Sequence, residues 1–437
     1  ASALTGWVPA RWFSSDPKSL ELLDGVPVNC LLLEPGDWRA GFLAGARERK
    51  VAVLGVIHPA GDVGALAARA ASLKLDGLVL EGENSRAAAG TARSSGLPVI
   101  ELGPRRALVE PPAEGIAGTW QGVWPGINPQ EDEGAALAGP TSTPWLDTNS
   151  GFLRFLRSMT GATLWIGNRP PPGKAFPVIR YQQAVADAAL AGARWVVSLD
   201  EDFERRLAAR DSKAVRDWRE IGSLLEFLEE QRGWRAMRPY GQVALVQEPA
   251  EGAMISGGVL DMLAVQHLPV RPLPPARVTS ASLDSVWLVV KLAEGQPEAL
   301  LGVARAGGAM AQPEPGWKFP IASADQYAIR KADLPKLESL WQIVKQATGR
   351  QNFGVRLFNA GSMLSNPLTD GKKLAILLVN YTGYPVEAIT VHLLGTWKKV
   401  RLLAPGRAPR ELSPYPTRDG TGVEIDTVGV LAAVEVE

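Results

Sequence analysis

The sequence has 437 residues, enough for two to four domains at roughly 100–200 residues each. Its 46 Lys plus Arg balance 46 Asp plus Glu, so it lacks the basic excess with which proteins hold nucleic acid or an anionic membrane. An apolar share of 46%, no apolar run near the ~18 residues that cross a bilayer, and one cysteine, Cys30, describe a folded globular chain without a disulfide framework or a cysteine-based zinc site.

The three histidines, His58, His267 and His392, are scattered, and no metal or cofactor is expected. The opening Ala1-Ser2-Ala3, without an initiator methionine, fits a chain whose export signal has been removed. A secreted or periplasmic setting is therefore expected.

Up to residue 235 one pattern repeats: a short apolar run, a polar turn, then an Ala-rich stretch with helical spacing. The runs span 28–33, 51–57, 77–80, 98–100, 115–120, 144–146, 163–166 and 194–199. Between them lie helical stretches such as 38–49, 62–73, 85–95, 151–159 and 179–191. Strands alternating with helices at this spacing build a parallel sheet from βαβ units. Eight runs over residues 1–235 match a (β/α)8 TIM barrel, whose usual size is ~250 residues. The rival is an open doubly wound sheet, but no G-x-G-x-x-G follows the first run.

From residue 236 the texture changes. Strands are expected at 241–247 and 283–290, and helices at 257–266 and 298–306, with a Pro-rich connection at 271–276. This is a second, smaller α/β unit, 236–350, expected to be structural and to offer a homo-oligomer contact. Over 351–437 helical periodicity disappears. The runs 373–380, 387–394, 399–403, 422–425 and 429–436 are separated by Gly, Pro and Asp turns, the pattern of an antiparallel β-sandwich.

Barrel active sites lie at the carboxyl ends of the strands. Acids end several of the runs there: Glu34, Glu81, Glu83, Glu101, Asp147, and Asp200 with Glu201 and Asp202. Cleaving a glycoside takes two carboxyls, ~5–5.5 Å apart for retention and ~6.5–9.5 Å for inversion. Alternation along 195–200 turns Trp195, Val197 and Leu199 toward the helices and Val196, Ser198 and Asp200 inward. Asp202 shares that parity, and two close carboxylates raise one pKa, which suits a general acid. Each acid also has a plainer role open to it, capping the next helix or pairing with an arginine.

The loop 118–126 sets Trp120 and Trp124 among glycines and a proline, and 140–149 sets Trp145 beside Asp147 and Asn149. Sugar rings present apolar C–H faces, and large aromatic rings with a polar edge stack on them. Asn168 and Arg169, ahead of three prolines, add donors, and His58 after the second run adds another. A carbohydrate is thus the expected ligand, although the same tryptophans suit packing between loops.

The order barrel, small α/β unit, sandwich resembles the glycoside hydrolase family 42 β-galactosidases, in which a flavodoxin-like domain akin to class I amidotransferases follows the catalytic barrel. Residues 283–290 with Ala306-Gly307-Gly308 are similar to that family's strand, helix and Gly-Gly segment, and Leu377–Tyr381 through Gly429–Val436 to its terminal sandwich. The resemblance implies an O-glycosidase with an acid/base Glu after the fourth barrel strand, counted here as Glu101, and a nucleophilic Glu after the seventh. No Asn-Glu pair occurs in the barrel, and the seventh run ends Ile166-Gly167-Asn168-Arg169 without an acid. The middle unit lacks a cysteine and hence the amidotransferase nucleophile. Two readings stay open: a glycoside hydrolase, with Glu101 and Asp200 its first candidates, and a non-catalytic carbohydrate-binding protein on the same scaffold.

Overall fold

The computed structural model describes residues 5–128, 130–132, 135–137, 145–253, 257–292, 298–317 and 334–437. The chain forms two compact units, Ala1–Val123 with Thr160–Gln231, and Trp124–Met159 with Arg232–Glu437.

The first unit is a parallel barrel of eight strands in chain order: β1 Pro9–Arg11, β2 Cys30–Leu33, β3 Ala52–Ile57, β4 Gly77–Glu81, β5 Val99–Gly103, β6 Ile116–Thr119, β7 Thr163–Ile166 and β8 Arg194–Trp195. Ala10 bridges Val197 just past β8, and the Arg11 N–H donates to the Val197 carbonyl at 2.8 Å, so the sheet closes on itself. The inside is filled from β2 to β7 by Cys30, Leu32, Leu54, Val56, Val79, Ile100, Leu102, Ile116 and Trp165, and by Val196 just past β8. Gly118 leaves room for this layer. A Cβ there would stand 2.4 Å from Leu102 Cδ2 and 3.0 Å from the Trp165 carbonyl.

Two expectations about the strands are corrected. Pro9–Arg11 is a barrel strand that three residues and a proline conceal. The run 144–146 is not one: Trp145–Asp147 pairs antiparallel with Gly126–Asn128, within the second unit. Hence 98–100, counted fourth in the sequence, belongs to β5, and the fourth strand is the one ending in Glu81.

Helices Ala40–Glu48, Val63–Ser72, Ser85–Arg93 and Val178–Leu190 follow their strands as expected, and Glu201–Ala208 and Ser212–Glu230 join them after β8. Carboxylates cap three of the six. Asp62 accepts from Ala65 N–H, Asp200 from Phe203 N–H and Asp211 from Ala214 N–H. After β5 there is only the short 3-10 turn Arg105–Val109.

The second unit contains a four-stranded parallel sheet, β9 Val243–Val246, β10 Val270–Leu273, β11 Leu288–Lys291 and β12 Ala309–Ala311, in the order β10-β9-β11-β12. That 2-1-3-4 order is the flavodoxin-like arrangement. The helix Ser150–Met159 also belongs here. The Gly151 N–H donates to Asp261 at 2.8 Å, and Arg154 to the Val270 carbonyl at 2.8 Å. Two antiparallel sheets complete the unit. One orders Arg238–Pro239, Met363–Thr369, Leu374–Asn380, Leu431–Val436, Val400–Leu403 and Arg410–Leu412; the other Val355–Phe358, Val386–Leu394, Gly420–Val428 and Tyr415–Pro416. Met363, Ile376 and Val434 of the first sheet and Val391, Val423 and Ile425 of the second share one buried core, which makes the pair a sandwich.

Candidate active site

The interior residues set the parity of everything that follows them. Alternate residues of a strand point oppositely, so the inward side of Leu32 is continued by Glu34, that of Val56 by His58 and that of Val79 by Glu81. In the same way Ile116 leads to Trp120, Trp165 to Arg169 and Val196 to Asp200.

Four of these side chains, Glu34, His58, Glu81 and Arg169, meet, and Arg11 of β1 joins them. Glu81 forms an ion pair with Arg11 of β1, and both side chains are only 9% exposed. Arg169 Nη2 is in direct contact with Glu34 and stands 3.9 Å from Glu81 Oε1. His58 lies between the same two residues, its Nε2 3.2 Å from Glu34 Oε2 and its Nδ1 3.3 Å from the Glu81 carbonyl. Two carboxylates, from the ends of β2 and β4, therefore flank one guanidinium, closer together than the ~9.5 Å upper limit of glycosidase carboxyl separations. Arg11 also keeps Nε and Nη1 buried without a hydrogen-bond partner among the described residues. A buried ion pair is no more stabilising than apolar side chains of the same volume. The carboxyl end of a barrel, where ligands bind, is where such a pair has chemical use.

Other expected acids are engaged elsewhere. Glu101 has the parity opposite to Ile100 and Leu102, points outward and pairs with Arg93 of the neighbouring helix at 2.7 Å. Glu83 pairs with Arg106. Asp202 sits on a helix and pairs with Arg205 and, at 2.8 Å, with Arg206; these contacts hold its carboxyl below the usual range. Asp200 does point inward, but three donors occupy its carboxylate: Phe203 N–H at 2.9 Å, Phe176 N–H at 3.0 Å and the Tyr181 hydroxyl at 2.5 Å. Burial, and next the bond to Asp200, push the Tyr181 phenol far up, so it stays a donor. Asp147 lies on the ribbon strand of the second unit, after no barrel strand, and the buried Asn149 begins the helix Ser150–Met159, accepting from Leu153 N–H through its carbonyl.

Of the other expected ligand groups, Trp120 is half-buried in the barrel unit, and Trp124 is half-buried in the second unit. The Trp145 side chain lies outside the described residues. The Asn168 amide donates to the Gly122 carbonyl at 2.7 Å, tying the end of β7 to the loop after β6.

The sequence reading passed over Arg11 and Glu204. Arg11 gives one signal only, a cation ending a very short run. Glu204 lies on the first turn of Glu201–Ala208, half-buried, its N–H bonded to the Asp200 carbonyl at 2.9 Å. Burial lifts its carboxyl from 4.5 to about 7; Arg169 opposes the rise, and Asp200 and Glu201 add to it. No group of three or more metal-ligating side chains occurs among the described residues. Nor is any described helix long and apolar enough to cross a membrane.

No protein-family model matches the sequence, and no curated protein is significantly similar to it. Solved structures are similar. An α-L-fucosidase, isoenzyme 2 of Paenibacillus thiaminolyticus, superposes with a TM-score of 0.64 at 12% identity, over 97% of this chain and 96% of that one. A rhamnosidase from Novosphingobium sp. PP1Y reaches 0.42 at 13% identity, over 92% of this chain and 39% of that one. A family 42 β-galactosidase from G. stearothermophilus reaches 0.41 at 10% identity, over 91% and 66%. At these identities the likeness is one of fold, and it rests on the first of the three. The protein therefore has the fold of a multidomain glycoside hydrolase, without the Asn-Glu signature of family 42.

Proposed function

We propose that the protein is a glycoside hydrolase acting on an O-glycoside at the carboxyl end of its barrel. The observation that carries this reading is the buried Arg11–Glu81 pair with Arg169 beside it, at the end of β4. Glu81 serves as the carboxylate that takes the proton of the attacking water. Arg11 and Arg169 hold it in place, and Arg169 and His58 position Glu34 at the rim. Trp120, on the inward parity of β6, supplies an apolar face for the sugar ring.

One observation favours the rival reading, a non-catalytic carbohydrate-binding protein. The end of β7 presents a cation, Arg169, and most of the acids around the barrel are paired with arginines. A panel of nitrophenyl glycosides and polysaccharides separates the two. Hydrolysis by the full chain, lowered about 10²–10⁴-fold in a folded Glu81→Gln variant, supports the enzyme. Binding of a glycan without turnover supports the rival.

A further inference from the structure

Away from the barrel, the second unit holds a cavity of about 260 Å³ where the helices Gly258–Val265 and Leu334–Thr348 end beside the strand Val355–Phe358. Its floor is apolar, with Phe353 and Val355 buried there. Phe358 at the rim is 40% exposed, one of three large apolar side chains so exposed among the described residues. Around it stand donors without work inside the protein. The side chains of Gln266, Trp341, Lys345 and Gln351 line the cavity and have no hydrogen-bond or ion-pair partner among the described residues. Arg356 gives Nη1 to the Arg350 carbonyl at 3.2 Å, and its guanidinium lies over the Phe358 ring, 5.3 Å from the centroid. The described lining carries the two cations Lys345 and Arg356 and no carboxylate. A second cavity, beside β5, is lined instead with Glu101, Glu110 and Glu114.

We infer that this cavity is a second binding site, for an acidic saccharide: a sugar ring bearing a carboxylate or a sulfate ester. Each part of the ligand answers to something in the lining. The apolar C–H face of a sugar ring stacks on an aromatic ring, here Phe358 or Trp341. Hydroxyl groups pair with the Gln266 and Gln351 amides and the Trp341 indole N–H. The anionic substituent takes charge-assisted hydrogen bonds from Lys345 and Arg356. A polyphosphate, the other common partner of cations beside aromatic rings, fits less well. Both helices reach the cavity by their carboxyl ends, near Gln266 and Thr348, where the helix carries partial negative charge. Such ends repel a multiply charged group, while a single anion is answered by the two cations. The volume lies just below the ~300–1,000 Å³ of drug-sized sites, which suits one sugar ring at the end of a longer chain. The inference stands apart from the barrel chemistry, since no residue of the Glu34, Glu81 and Arg169 array lines this cavity.

Titration calorimetry on the full-length protein tests it with four probes: a methyl galacturonoside, a galactoside 6-sulfate, the neutral methyl galactoside and AMP. At least one of the two acidic sugars should bind, more tightly than the neutral sugar and than AMP, and the tighter of the two tells carboxylate from sulfate ester. Lys345→Gln with Arg356→Gln should weaken that binding about 10–100-fold at unchanged Tm, as expected for losing hydrogen bonds to a charged group. Lys345→Gln alone, a change at an exposed side chain, should weaken it about tenfold. Phe358→Ala should weaken both acidic sugars alike. Glu81→Gln should leave the binding as it is. Binding of neither acidic sugar overturns the assignment, as does equal or tighter binding of the neutral sugar or AMP. So does binding that survives the double variant and is lost in Glu81→Gln, because that places the ligand at the barrel. None of these results bears on whether the barrel hydrolyses a glycoside, which the panel of substrates decides separately.

Discussion

Replacing Arg11 by Met probes the centre of the site through stability as well as activity. The substitution leaves the Glu81 carboxylate, 9% exposed, without its ion-pair partner. Arg169, 3.9 Å away on the other side, compensates only partly, because its Nη2 is already in contact with Glu34. Breaking a buried pair by removing one member costs about 3–5 kcal/mol, and for a unit of this size that lowers Tm by about 6–20 °C. Removing both charges differs in sign. Arg11 already keeps two buried nitrogens without a partner among the described residues, so Arg11→Met with Glu81→Leu discards a desolvated pair and an incompletely bonded guanidinium together. The double variant should therefore melt at or above the wild type while losing hydrolysis. Scanning calorimetry of the four proteins in one buffer gives the cycle. If the single Arg11 variant melts with the wild type, or if the double variant is no better than the worse single one, Glu81 is not a buried charge held by Arg11, and the site needs another centre.

Other expectations follow from particular contacts. Glu204 has a folded pKa above its unfolded value of 4.5, so the native state binds the extra proton and stability falls as pH rises from 4.5 to about 7. Glu204→Gln should remove that slope in pH-dependent melting, and an unchanged slope would contradict the burial of the group. His267 is the opposite case. Burial lowers it from 6.5 to about 4, so stability present above pH 6.5 is lost as pH falls through 4, and His267→Gln should flatten this window. Asp200→Ala removes a helix N-cap, worth about 0.5–2 kcal/mol, and leaves the buried Tyr181 hydroxyl without its acceptor, worth about 1–3 kcal/mol more. Urea unfolding of that variant at wild-type stability would mean that Asp200 is no structural anchor. Trp120→Ala should raise KM for a glycoside more than it lowers kcat, and an unaffected KM argues against a sugar platform there.

How much of this was written in the chain depends on how far apart the interacting residues lie. Local pattern alone identifies alternating strands and helices up to residue 235, a smaller α/β unit and a β-rich end, because apolar runs, Gly and Pro turns and helical spacing are short-range signals. The barrel strand β1 escaped because Pro9-Ala10-Arg11 is too short to show a period, and Trp145–Asp147 was counted in its place because a ribbon strand has the same texture. Alternation along 195–200 did turn Asp200 inward, but the direction of other acids was hidden. Parallel strands buried on both faces are apolar throughout, so Ile100-Glu101-Leu102 does not announce that Glu101 faces the helices and Arg93. The charged array was settled last. Arg11 and Glu81 are 70 residues apart and Arg169 and Glu34 are 135 apart, and only closure of the barrel, β1 against β8, brings the four into contact. Sequence composition set the menu of carboxylates. Tertiary packing decided which would be held by arginines and which would cap helices, since burial and long-range contacts are properties of the folded chain.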